Sequence, residues 1–458
     1  MNRNIKNILL ILKNLKVNYL LGIFIISLGV IVETLSIGVF IPVISSIVSL
    51  DTLNEIKFIK DLDFLSKLTH QQIVIISVTC LILIFTLRAF FLFFLTWYKA
   101  HLQMTINTRL SKKILFSRLD QEFIEFYKDK SSNLLNLVTL EISNYSSLVL
   151  ILFVLVSEFC IFFSISIFIV IYKPVASLTI ISIIVILGSL FYLFTKGYTQ
   201  RQGKIRLINS KKQLSILNDA IGSFVNIKLY KLQNFFLDLF SKPNLLLNQS
   251  RKKINILKSL PKIWFEFLIV ISMSVAVLIL FKSEVDGENV LIVLGVFAAA
   301  AYRILPSITK ILSSLQSLKY NFVSVDNIIQ FINVELVKKI NENQKTIQFE
   351  NKLKLNNLSF NFKDKIILSN LSLEIKKNNF IGVTGQTGSG KSTFLHIVSG
   401  LLKSDKGEIQ SDGVNIYENI EDWRSKIAYL PQKSFYLDDT IKNNIIFGSQ
   451  IENIDNNK

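Results

Sequence analysis

Six stretches of the chain are apolar for long enough to cross about 30 Å of hydrocarbon. They lie near residues 17–49, 73–98, 146–172, 174–196, 263–281 and 289–312. Lipid offers the backbone no hydrogen-bond partners, so segments of this length are committed to helix. Only "YKP" separates the third stretch from the fourth, which predicts a helical hairpin turning at Pro174. Half of the 458 residues are apolar and 18% are charged, a balance that belongs to membrane proteins. The formal charge of +18 is what Lys-rich cytoplasmic loops produce. No basic patch interleaved with stacking aromatics accompanies it, so a nucleic-acid partner is not expected. Cys80 and Cys160 fall inside apolar runs and read as small membrane-buried hydrophobes, with neither a disulfide framework nor a metal site.

Lys and Arg in the connections set the expected orientation. Residues 1–16 carry four, 99–145 seven and 197–262 thirteen, against three in 50–72 and single lysines in the two remaining turns. Both termini and the two long connections are therefore expected on the cytoplasmic side. The N-terminal "MNRNIKNILLILKNLKVNYLLGIF" has basic residues before an apolar run too long for a signal-peptide core, and no small-residue cleavage site follows. It reads as a retained first span.

The long connections keep helical spacing, as in "HLQMTINTRLSKKILFSRL" and "LYKLQNFFLDLF", so the spanning helices are expected to continue past the bilayer. At their tips, "DQEFIEFYKDKSSNLL" and "NDAIGSFVNIK" are either short helices or solvated bends. Within the spans Glu33, Arg88, Glu158, Glu266 and Arg303 would form one layer roughly 20 to 25 Å below the outer surface, with Lys262 a turn deeper. Charge at that depth is expensive, so these groups serve a purpose. Two readings stand: interhelical ion pairs, or Arg88, Arg303 and Lys262 facing a cavity and holding an anionic headgroup.

The periodicity changes after the polar "NENQK". "KLKLNNLSFNF" and "LSLEIK" alternate as strands, and "NFIGVT" is a short apolar run, expected as a third strand, that ends in a glycine loop. Gly385, Gln386, Thr387, Gly388, Ser389, Gly390, Lys391, Ser392 and Thr393 fit G-x-x-x-x-G-K-[ST], and "STFLHIVSGLL" follows as a helix. Such a loop turns backbone N–H groups inward around phosphates at a helix N-terminus. Lys391 would reach the β and γ phosphates and Ser392 would ligate Mg²⁺. His396 on the same helix reads as solvent-facing or locally packed rather than catalytic.

Six spans followed by "LSFNF", "GQTGSGKST" and "IAYLPQKSFYLDDTIKNNIIFG", in that order, resemble an ABC exporter half-transporter along essentially the whole chain. The resemblance implies a six-helix transmembrane domain over 1–320, a linker over 321–346 and an α/β P-loop ATP-binding domain over 347–458. It implies that the Phe362 aromatic stacks on adenine, where the family more often has Tyr, and that Gln432 is the Gln loop near Mg²⁺. The tip segments around 121–132 and 216–226 would be coupling helices, and a second half-transporter, as in a homodimer, would complete two ATP sites. Within the family, "ETLSIGVFIPVI", "RAF", "PKIWFEF" and "AYRILPS" are most similar to flippases of lipid-linked oligosaccharides, implying a polyprenyl-pyrophosphate sugar substrate. Lipid, peptide and drug exporters compete with that assignment.

The LSGGQ-type signature, the Walker B acidic pair, the D-loop and the switch His of the family do not occur before Lys458. By the resemblance, the chain is expected to be C-terminally incomplete, holding nucleotide without hydrolysing it, whereas the complete family member would be an ATPase. The alternative class is a membrane-anchored nucleotide-binding protein without turnover.

Overall fold

The computed structural model describes residues 2–15, 19–38, 43, 69–128, 131–172, 174–282, 287–332, 345–362, 365–432 and 434–446. It divides into two compact units, one of residues 1–121 and 127–336 and one of residues 122–126 and 337–458. The expected boundary at 320 falls inside a helix that runs on to Ile332, and residues 333–344 of the expected linker lie outside the described residues.

The first unit is helical. It contains α1 (Asn2–Asn14), α2 (Tyr19–Gly38), α3 (His70–Leu119), α4 (Phe123–Lys128, shared with the second unit), α5 (Ser131–Asn136), α6 (Ile142–Tyr172), α7 (Pro174–Gly222), α8 (Phe224–Leu229), α9 (Gln233–Lys282) and α10 (Gly287–Ile332). Helix covers the described part of every expected span, and α6 gives way to α7 at Pro174. Among the described residues, three helices are long and apolar enough to cross a membrane, Gln71–Leu119, Ser131–Ile167 and Ile181–Gly222, with a shorter apolar helix at Leu20–Glu33. At 50, 49 and 50 residues, α3, α7 and α9 far exceed the roughly 20 that a bilayer needs. Cys80 and Cys160 are free and exposed on helix surfaces.

The described part of the first expected span is α2, and a separate amphipathic helix, α1, precedes it. Ile8, Ile11 and Leu12 of α1, with Leu15 just past it, are buried in one core with Leu102, Ile106, Leu110 and Ile114 of α3 and Leu318, Phe322, Val325 and Ile328 of α10. Tyr145 donates to the Ile8 carbonyl inside α1 at 3.2 Å, and Arg109 donates to the Leu15 carbonyl at 3.0 Å, just past the helix end where carbonyls lack an intrahelical partner. The π-helical turn Leu137–Glu141 between α5 and α6 introduces the buried carboxylate of Glu141.

The second unit is built on β1 (Lys352–Phe362), β2 (Lys365–Lys376), β3 (Lys406–Ser411) and β4 (Val414–Asn415) in the order β2-β1-β3-β4, with every pair antiparallel. Its helices are α11 (Lys391–Val398), α12 (Ile420–Ser425) and α13 (Ile441–Ile446). Leu353 and Leu355 face the core, and so do Leu358 and Phe360. Strand alternation alone would turn the second pair outward, but a register shift between Leu355 and Leu358, with Asn357 at φ 50°, restores the face. A Cβ on Gly407 would lie 2.3 Å from the Asn356 carbonyl oxygen, so β3 passes this bulge only as glycine.

"NFIGVT" is not a strand in the structure. It runs to the glycine loop without a ladder partner, with Ile381 and Val383 exposed and Phe380 fully so. An extended run becomes a strand only beside another, and the four described strands pair only with one another.

Candidate nucleotide-binding site

The loop from Gly385 to Thr393 bends at three glycines with positive φ, Gly385 (152°), Gly388 (84°) and Gly390 (92°). Gly390 is the N-cap of α11, and a Cβ there would lie 2.7 Å from Ile367 Cγ2. β2 therefore seats directly on the loop, at the hairpin end that carries Phe362. The loop is exposed, as is Ser392 in the first turn of α11. Lys391 folds its ammonium over the loop and donates to the carbonyls of Gly385 and Gln386, both at 2.8 Å.

These residues fit the nucleotide expected of them. The cradle is open, the N-terminus of an eight-residue helix points into it, and a single cation hangs over it on loop carbonyls that a phosphate would replace. Phe394 and Ile397 anchor α11 in the core. At its far end Arg424 donates twice to the Gly400 carbonyl, at 3.1 and 2.6 Å, and Trp423 Nε1 donates to Val398 O at 3.0 Å. A guanidinium at a helix C-terminus offsets the partial negative charge there. Nothing in the spacing of the sequence announced this clamp from α12.

Phe362 is half-exposed at the tip of the hairpin. The backbone beside it is fixed by Asn361 N donating to Asp405 Oδ2 at 2.6 Å. Gln432 lies on an exposed bend. Its segment is tied to α11 through Tyr429, whose hydroxyl is 3.1 Å from Nε2 of His396. His396 is locally packed, and burial pushes its imidazole pKa down from the ordinary value. Its ring also meets Phe123 of α4, with centroids 4.8 Å apart. Both tip segments contain the expected short helices, α4 and α8.

The layer of charges in the first unit contains ion pairs. Arg88 Nε lies 3.1 Å from Glu33 Oε2, linking α2 and α3, with little exposure on either side chain. Glu158 pairs with Lys310 of α10 at 2.7 Å, a partner that the sequence did not suggest. Lys262 and Glu266 approach to 3.8 Å along one face of α9 and are largely exposed. Arg303 lies in α10, with its side chain outside the described residues.

Two family profiles match the chain. Residues 17–301 match that described as ABC transporter transmembrane region and residues 368–457 that described as ABC transporter. The subtilin transport ATP-binding protein SpaT of Bacillus subtilis is 22% identical over 366 residues, covering 77% of this chain and 58% of that protein. A putative export ATP-binding/permease protein of Rickettsia typhi is 40% identical over 77 residues, 17% of this chain and 13% of that one. The ATP-dependent lipid A-core flippase of Francisella novicida is 40% identical over 76 residues, 16% and 13% of the respective chains. The chain thus spans well under two thirds of the length of these relatives. A solved bacterial Atm1-family ABC exporter with ATP bound shares the fold at a TM-score of 0.71 and 13% identity, over 94% of this chain and 74% of the other. With a transmembrane region matched over most of its length and an ATP-binding region behind it, the chain belongs to the ABC transporters that carry both on one polypeptide.

Proposed function

We propose that the chain is one half of an ATP-driven exporter or flippase that moves an amphiphile across a membrane, with the phosphate loop taking ATP. The observation that carries this reading is Lys391 poised on the Gly385 and Gln386 carbonyls of an open glycine loop, in a chain whose helices outrun a bilayer. Backbone N–H groups of the loop and the Lys391 ammonium would hold the β and γ phosphates, Phe362 the adenine, and Ser392 with Gln432 a Mg²⁺ ion. Bound Mg²⁺ would neutralise phosphate charge. The chain's own residues orient the phosphates and anchor the base.

A second copy is the expected partner. Ile221, Phe224, Val225 and Leu229 expose a cluster of apolar side chains around α8, the kind of surface that a second nucleotide-binding unit would cover. The basic connections favour a plasma-membrane orientation with the termini and the nucleotide-binding unit in the cytoplasm. Relatives named for subtilin transport and for lipid A-core flipping favour an amphiphilic cargo. A lipid-linked oligosaccharide with an anionic pyrophosphate is the cargo that Arg88, Lys262 and Arg303 would suit. The Glu33 contact of Arg88 would then be exchanged for the headgroup.

Nucleotide binding to the full chain in lipid nanodiscs, followed with a fluorescent ATP analogue and Mg²⁺, tests the ATP reading. Lys391→Ala should weaken binding by at least about tenfold, the scale of one charge-assisted contact. Equal binding by both proteins would overturn the assignment of the loop.

A further inference from the structure

Three aromatic side chains from three separate parts of the chain meet inside the second unit. Phe123 comes from α4, between the long helices, and packs with Ile124 against the core of this unit. His396 sits on α11, five residues after Lys391 and so about 7.5 Å along the helix from it. Tyr429 precedes Gln432 by three residues, at most about 10 Å of chain. His396 is the middle member. One side of its ring meets Phe123 at 4.8 Å between centroids with planes tilted by 58°, and its Nε2 meets the Tyr429 hydroxyl at 3.1 Å. The His396 and Tyr429 rings lie 5.9 Å apart.

The chemistry of the triad favours transmission. Neutral imidazole has one donor and one acceptor nitrogen, and a phenol offers both roles, so either tautomer keeps the bond to Tyr429. A hydrogen bond of this length is lost beyond about 3.5 Å, so any displacement of α11 carries Tyr429 with it or breaks the contact. A short helix with Phe394 and Ile397 fixed in the core moves as one body, taking Lys391 and His396 together. Phe123 is held against the same ring by tilted aromatic contact, which adds direction to plain burial.

We propose that His396 is a positioning residue: through its ring contact with Phe123 and its hydrogen bond to Tyr429, it couples nucleotide in the phosphate loop to the seating of the 122–126 segment and the placement of Gln432. This rests on the reading of the loop as an ATP site. His396 touches neither nucleotide nor metal in this scheme, and acts by holding the two neighbouring segments in register.

The test uses the full chain in nanodiscs and hydrogen exchange of the peptides covering 120–128 and 427–432, with and without ATPγS and Mg²⁺. In the wild type, nucleotide should slow exchange in both peptides by about threefold to tenfold, the range that one hydrogen bond and one aromatic contact supply. His396→Ala should bind ATPγS within about twofold of wild type yet lose the slowing in both peptides. His396→Gln, which keeps a nitrogen donor near the Nε2 position, should restore it at 427–432 and not at 120–128. Tyr429→Phe should show the reverse. Full slowing in the alanine variant, or identical behaviour of the alanine and glutamine variants, would overturn the proposal. Failure of the wild type to bind ATPγS would instead remove the ATP reading itself. The milder glutamine and phenylalanine variants decide the matter should the alanine variant not fold.

Discussion

Arg206 of α7 is the most heavily committed cation among the described residues, and removing it yields a sharp prediction. Its side chain is 6% exposed and that of its partner Glu141 1%. Nη2 lies 3.2 Å from Glu141 Oε2 and donates to Ser324 Oγ at 2.8 Å, while Nη1 donates to Asn321 Oδ1 at 3.1 Å. The guanidinium also stacks over Tyr320 at 5.0 Å. One residue thus joins α7, the π-helical turn before α6, and α10. Gly203 lets α7 approach this closely, because a Cβ there would lie 2.4 Å from the Tyr320 carbonyl oxygen. Truncating one partner of such a buried pair strands the other charge and costs about 3–5 kcal/mol. Arg206→Met and Glu141→Leu should each do so. The double variant leaves no stranded charge, so it should recover most of that loss, giving a coupling energy of at least about 2 kcal/mol. An exposed pair such as Lys352 with Glu374 would show only about 0–1 kcal/mol in the same cycle. Thermal unfolding of the reconstituted protein at one fixed scan rate reads the difference, with single variants lowered by several degrees and the double variant lying close to wild type. Single variants within about 1 kcal/mol of wild type, or a double variant that merely adds the two losses, would refute a buried and mutually dependent pair.

Glycine at two positions of the phosphate loop answers to different forces. Gly388→Ala meets no atom within 4 Å and bears only the cost of its positive φ, about 1–2 kcal/mol, whereas Gly390→Ala also drives a methyl to 2.7 Å from Ile367 Cγ2 and should cost about 1–3 kcal/mol more. Equal melting temperatures for the two variants would refute the contact with β2. Asp412 receives backbone N–H groups of Lys352 at 2.8 Å, Glu350 at 2.5 Å and Asn351 at 3.1 Å, which hold its pKa below the ordinary carboxylate value. The lowered folded pKa means that its stabilisation is complete above about pH 3.9 and vanishes as pH falls through the folded value. Asp412→Asn should therefore flatten that acid limb of an unfolding series. For His396 the sign is the same by a different cause, since burial favours the neutral ring: stability is unaffected above about pH 6.5 and declines below it, where the unfolded chain takes up the proton first. His396→Gln should remove that decline, and an unchanged profile would place the titration elsewhere.

Features encoded over short distances were legible in the sequence. Apolar runs of spanning length appear as helices, the tip segments contain α4 and α8, and the glycine spacing of 385–393 yields the bend it predicts. Features that need a partner from far along the chain were not. "NFIGVT" has the composition of a strand, yet composition cannot supply a neighbour to pair with, and the segment runs unladdered. Ahead of the span expected from residue 17, the helical spacing of Ile8, Ile11 and Leu12 gives a separate amphipathic helix whose apolar face shares one core with residues of α3 and α10.

The buried charges show the same limit most clearly. Their depth and expense were visible, since a carboxylate inside an apolar run must be neutralised by something. Which cation answers which carboxylate depends on helix rotation and on residues more than fifty positions apart, as with Glu33 and Arg88 or Glu158 and Lys310. In the sequence Lys310 reads as a boundary lysine, because it lies only a short way inside the last span. Its long flexible stem nonetheless brings the ammonium to Glu158, leaving that carboxylate 7% exposed while the lysine itself stays 53% exposed. The pairing links α6 to α10 and the Glu33 pairing links α2 to α3, so each ties together two separate helices. Charges that look like a binding layer in sequence thus also serve as bundle fasteners, and a headgroup that engages Arg88 must compete with Glu33 for it.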